Sequence, residues 1–218
     1  MSTRRGHPVA AHYGSASGEL AVCVSAVGLA HRSDLAVVTI DGPGHRLVTA
    51  LARTIGDPVA PGGAIHAGGA WWCRSADRDE LVVLCGRDAV PRLIDTGLAA
   101  CRHFGLTVTD RSAGRTVLAV VGRRTWPLLA SLGLSSADGD LRGVPPFSRW
   151  DVDGQEVSWL IESEATALAV VDEREADRVW QAIERIGRRY GLSCVGYEAI
   201  ERFAVLRRSD RLRPEHLI

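Results

Sequence analysis

Two hydrophobic periods alternate along this chain. Residues 35–40 are a β-branched apolar run ended by Asp41-Gly42-Pro43-Gly44, which predicts a buried strand, and the apolar spacing over 45–55 predicts the helix after it. The glycine- and proline-rich stretch 56–69 reads as a loop. Residues 71–74 and 80–85 read as two short strands around the polar turn 75–79, a hairpin. Pro91 suits the first turn of a helix that runs to Phe104 and is punctuated by Gly105. Strands are expected at 106–110 and 117–121, and a short helix at 125–132 stopped by Gly133.

After a polar link at 135–146, strands at 149–152 and 156–161 flank Asp153-Gly154. That is a strong hairpin signal, because both central residues of a type I′ turn need positive φ. Residues 167–171 close that sheet. The clearest helix is 173–190, with Ala176, Val179, Trp180, Ile183, Ile186 and Tyr190 along one face, a capping-box-like start at Asp172 and Glu175, and Gly191 at C′. A last helix is expected at 197–208, and the apolar stretch 20–30 reads as a helix lying on the domain.

This order is α+β, with helices packed on antiparallel or mixed sheets, and it lacks the regular alternation of a Rossmann domain. One domain is expected over 1–208, made of two fused halves near 1–105 and 106–208, with a charged tail at 209–218.

Composition narrows the chemistry. All 26 basic residues are Arg; with no Lys there is no Schiff-base lysine, no pyridoxal-phosphate anchor and no P-loop lysine. Balanced, scattered charge gives no footprint for nucleic acid or an anionic membrane surface. The five cysteines form no C-x-x-C pair and the seven histidines lack i, i+4 spacing, so no metal site is expected. No window reaches the ~18 to 20 apolar residues of a membrane span. Arg4 and Arg5 stand too far from the apolar stretch, with no clear small-x-small site after it, to make a secretion signal, so a cytoplasmic protein is expected.

Three segments carry a resemblance. The first is His12-Tyr13-Gly14-Ser15, Glu19, Ala21-Val22, Gly28-Leu29 and His31-Arg32-Ser33-Asp34-Leu35, through Thr39 to Gly42-Pro43-Gly44. The second is Pro61-Gly62-Gly63-Ala64-Ile65-His66, and the third runs from Pro145-Pro146-Phe147 past Glu164 and Tyr190 to Gly196 and Ala199. Together they resemble the glycine-cleavage T-protein (aminomethyltransferase) superfamily, which includes the C-terminal regions of dimethylglycine and sarcosine dehydrogenases and sarcosine oxidase subunits. The resemblance implies a folate-binding fold without the C-terminal barrel of full T-proteins, tetrahydrofolate as cofactor, and a place in one-carbon or amine metabolism.

It also implies site residues. Glu164 matches the acid of the family's G-Y-T-G-E and His66 its loop Tyr; Arg202 is the one arginine near the family's A-R-D-x-L-R, which here reads Ala199-Ile200-Glu201-Arg202-Phe203-Ala204. A carboxylate suits a pterin because its two oxygens accept both N–H donors of the aminopyrimidine edge. The family's catalytic hairpin Asp has no counterpart after His66, where the chain reads Gly68-Gly69-Ala70-Trp71-Trp72; Asp77 and Asp79 are the nearest carboxylates. No catalytic residue is assigned. His12 and His31, which titrate near neutrality, read as structural.

The resemblance leaves three readings: a tetrahydrofolate-dependent transferase or folate-binding component, a non-catalytic subunit packed on a flavoprotein amine oxidase of the sarcosine type, and an enzyme of a specialised pathway that reuses the pterin cavity.

Overall fold

The computed structural model describes residues 2–4, 7–97, 99–134 and 143–211. In chain order, the first elements are the paired strands β1 (Ser2–Arg4) and β2 (His7–Val9), α1 (Ala16–Ser25), β3 (Val27–His31), β4 (Leu35–Asp41) and α2 (Gly44–Ile55). Next come β5 (Ala64–Ala67), β6 (Ala70–Arg74), β7 (Glu80–Gly86), α3 (Val90–Arg92), α4 (Ala99–His103), β8 (Thr107–Asp110), β9 (Arg115–Val121) and α5 (Thr125–Ser131). The remainder is β10 (Phe147–Val152), β11 (Gln155–Ser163), β12 (Thr166–Asp172), α6 (Ala176–Gly187), β13 (Leu192–Cys194) and α7 (Tyr197–Arg211).

Two large sheets stack face to face. One has the order β10-β11-β12-β9-β3-β13 and is mixed, since β13 runs parallel to β3; the other is antiparallel, β5-β6-β7-β4-β8. Each takes a strand from the other side of residue 106: β3 pairs with β9, and β8 with β4. Alternation sorts the side chains. Val37, Cys73, Val82 and Leu84 meet Val117, Ala119, Val121, Leu160 and Leu168 between the sheets. The outer face of the first sheet packs Leu118, Trp159 and Val171 on α5 and α6, and that of the second packs Val38, Leu81 and Val83 on α2 and the helical run near residue 90.

The expected α+β class, the 71–74/80–85 hairpin and the long helix from Glu173 to Tyr190 are present, as is the Asp153-Gly154 turn with φ of 57° and 80°. Three segments differ. The apolar stretch 20–30 is helix only to Ser25; Val27–His31 is a strand inside a sheet covered on both faces, where continuous burial removes the alternation that marks a strand. Within the expected loop 56–69, Ala64–Ala67 is a strand hairpinned to β6 through Gly68-Gly69, both at positive φ. The expected helix 91–104 is broken by a wide turn at Leu93–Gly97, where Thr96 and Gly97 favour helix poorly. Most of the polar link, 135–142, lies outside the described residues, as does 212–218 of the tail; α7 extends through Arg211.

Candidate functional site

The site is built where α7 closes the gap between the sheets, and the amino-terminal segment fixes α7. Ala10 and Ala11 carbonyls accept the amides of Tyr197 and Glu198, satisfying two of the four open N–H groups of its first turn. Ser15 caps α1, its hydroxyl accepting from the Gly18 amide at 3.3 Å. One turn on, Glu19 accepts the amides of Tyr13, Gly14 and Gly196 at 2.6, 2.9 and 2.7 Å. Burial works to raise the Glu19 pKa, but those three N–H groups and nearby His12 outweigh it and hold the carboxyl below its usual range. The His-Tyr-Gly-Ser and Glu19 positions thus tie helix to helix.

Beneath α7 lies an open cleft in two connected parts. The inner part, about 170 Å3, is walled by Ala119 and Val121 of β9, Glu162, Arg32 and the α7 residues Tyr197, Ile200 and Glu201. The outer part, about 390 Å3, adds His66 and Trp71 from the β5–β6 hairpin and Arg207 and Arg208 from α7; Glu162, Thr166, Phe203 and Ala204 border both.

Glu162 is the central polar group. On β11, Leu160 packs towards the other sheet while Val157 and Trp159 pack towards the helices, and alternation puts Glu162 on the same face as Leu160, a carboxylate beside the inter-sheet core. Its surface is open to the cleft, yet protein crowds it: desolvation raises its pKa, opposed by the Arg32 charge and a hydrogen bond from the Trp71 side chain. Arg32 is held rigidly. Its Nε and Nη2 reach the two oxygens of Asp34, fully buried, at 2.8 and 2.9 Å, and its guanidinium lies 5.6 Å from the Tyr197 ring centre.

Across the cleft, His66 and Trp71 stack edge to face, with centroids 5.1 Å apart. Alternation sends Trp72 the other way, 3% exposed, its indole N–H on the Ala67 carbonyl. The hairpin 64–74 carries no Asp or Glu. Asp77 pairs with Arg149 at 3.0 Å, and neither it nor Asp79 borders the cleft.

Of the residues read from sequence, only His66 lines the cleft. Glu164 lies beyond the end of β11, in an adjoining depression with Val24, Arg123, Phe203 and Arg207, and Arg202 is exposed on α7 at 3.5 Å from Glu198. Glu162, Arg32, Trp71 and Tyr197 were not singled out as site residues by the sequence. The signal that could have found the first is a charge on the inward face of a strand. His12 is exposed near Glu19, and His31 borders a separate polar cavity. Among the described residues, no helix is long and apolar enough to cross a membrane, and no group of three or more His, Cys, Asp or Glu is placed to hold a metal.

No family model and no curated protein matches the chain. Solved structures do. Over 91% of its length the chain superposes on the glycine cleavage system aminomethyltransferase T from Bartonella henselae, with a TM-score of 0.70 at 14% identity. The chain has a T-protein-like fold. It spans only 56% of the length of that T-protein. Heterotetrameric sarcosine oxidase from Corynebacterium sp. U-96, solved in complex with pyrrole 2-carboxylate, contains a chain with a TM-score of 0.63 at 20% identity, covering 82% of this chain and 93% of that one. In this T-protein-like frame, the cleft lies between the two sheets, with α7 as its cover.

Proposed function

We propose that the cleft under α7 binds a folate-type ligand, and that the protein is a T-protein-like folate-binding component of cytoplasmic one-carbon or amine metabolism. The observation that carries this reading is Glu162, a carboxylate facing Trp71 and His66 across a cleft of this fold. Two carboxylate oxygens match the paired N–H donors of an aminopyrimidine edge, and such donors compensate the desolvation that the surrounding protein imposes on Glu162. The Trp71 and His66 rings offer an aromatic wall to a flat heterocycle, and Arg207 and Arg208 at the outer part suit the carboxylates of a folate tail. In this assignment Glu162 takes the pterin-facing role, His66 keeps a place in the wall, and Glu164 and Arg202 stand outside the first contacts.

In this reading the protein binds folate without transferring a one-carbon unit. One-carbon transfer to a weakly basic folate nitrogen needs a carboxylate beside it to orient the nitrogen and manage its proton, and the β5–β6 hairpin offers none. A second reading, a non-catalytic subunit of a heteromeric flavin-dependent amine oxidase, is favoured by the near-complete coverage of one sarcosine oxidase chain. Exposed Val24, Val205 and Leu206 on α1 and α7 would then face the partner. Calorimetric titration with tetrahydrofolate and 5-formyltetrahydrofolate tests the first reading; co-purification with a flavoprotein tests the second.

A further inference from the structure

At the other end of the inter-sheet space, a polar cavity of about 290 Å3 is bounded by the end of β3, the start of β9, the residue after β7 and the loop after β8. Its wall brings together His31, Arg32, Arg87 and Arg115, against one carboxylate on the wall, Glu173. We propose that this cavity binds a small oxyanion group, a phosphate or a carboxylate, held by Arg115, Arg87 and His31.

The charges on the wall are not equivalent. Arg32 is committed to Asp34. Arg87 is oriented by backbone, its Nε donating to the Ser33 carbonyl at 2.7 Å and its Nη2 to the Ser112 carbonyl at 3.3 Å, so those bonds fix the guanidinium without cancelling its charge. Glu173 accepts from the Thr116 hydroxyl, which occupies one of its oxygens. Arg115 is the free arm: no described carboxylate pairs with it. Three arginines and an imidazole against Glu173 and the buried Asp34 leave a net positive cavity, and partial enclosure makes each charge worth more than on open surface. Burial pushes the His31 pKa down, as does the Arg87 charge, with Glu173 and Asp34 opposing; an anion in the cavity acts in the same direction as those carboxylates and raises it.

Arg32 borders this cavity and the α7 cleft alike, so the two are adjacent, but apart from Arg32 their lining residues are different. The oxyanion site therefore stands or falls independently of folate binding. The test is titration of the folate-free protein with inorganic phosphate and, separately, acetate, at low ionic strength, followed by calorimetry and by the His31 proton resonances. Saturable binding with a rise in the His31 pKa is expected, with phosphate tighter if the natural group is a phosphate and acetate tighter if it is a carboxylate. Arg115→Ala should weaken binding at least about tenfold, the scale of a lost charged hydrogen bond. Glu173→Gln should tighten it, and Arg178→Ala, on the exposed surface of α6, should leave it unchanged. Absence of saturable binding, or equal binding by a folded Arg115→Ala protein, overturns the proposal.

Discussion

The amide of Gly196 donates to the carboxylate of Glu19 at 2.7 Å across a separation of 177 residues, joining α1 to the first residue before α7. Because the same carboxylate also takes the Tyr13 and Gly14 amides, one side chain fixes the segment that covers the candidate cleft. Glu19→Gln replaces one acceptor oxygen by a donor facing an N–H group and should cost about 2 to 3 kcal/mol in urea unfolding at pH 7. The Glu19 pKa is lowered in the fold, so its contribution is complete above the ordinary value of 4.5 and fades as pH falls through the lower folded value. Wild type and variant should converge in acid.

Gly196 has no room for a side chain. A Cβ there would run into the Ala11 carbonyl and sit 2.5 Å from the His12 Cα, both backbone atoms that cannot turn aside. Gly196→Ala should cost roughly 3 kcal/mol or more by the same unfolding measurement, well beyond a typical surface substitution.

Arg149 of β10 ties the two sheets. Its side chain, 9% exposed, reaches Asp77 at 3.0 Å, the Ser75 hydroxyl at 3.1 Å and Glu80, all in the turn between β6 and β7 or at its edge. Lysine keeps the charge but cannot address three acceptors at fixed angles, so Arg149→Lys should cost about 1 to 2 kcal/mol.

Glu162 predicts opposite effects on stability and binding. Its pKa is raised in the ligand-free fold, so the fold favours the protonated form; that preference is complete below the ordinary 4.5 and is lost as pH rises through the folded value, leaving a cost at neutral pH. Glu162→Gln should therefore raise the thermal midpoint at pH 7 without ligand while weakening 5-formyltetrahydrofolate binding roughly tenfold or more, the scale of a charge-assisted hydrogen bond. Glu164→Gln, in the neighbouring depression, should change binding less than about twofold.

The elements were largely legible because turn chemistry marks their ends: Asp153-Gly154, Gly133 and Gly191 stand where the chain turns or a helix stops. The strand Val27–His31 was hidden because burial on both faces erases its period, and Ala64–Ala67 because four residues are too few to show one. The His-Tyr-Gly-Ser segment with Glu19 was legible as a pattern, yet its physical work, holding α7, depends on Gly196 far along the chain. The site was less legible for the same reason: Arg32, Trp71, Glu162 and Tyr197 come from four segments, and only sheet stacking brings them together. The motif alignment led to Glu164, two residues past the inward-facing Glu162, and a shift at the end of β11 separates their surroundings.

The most direct test is calorimetric titration of the purified chain with 5-formyltetrahydrofolate, run in parallel on Glu162→Gln. Saturable binding that the substitution weakens by about tenfold or more is the predicted result. No heat of binding from a folded protein, or equal binding by the two proteins, would contradict a folate site at Glu162.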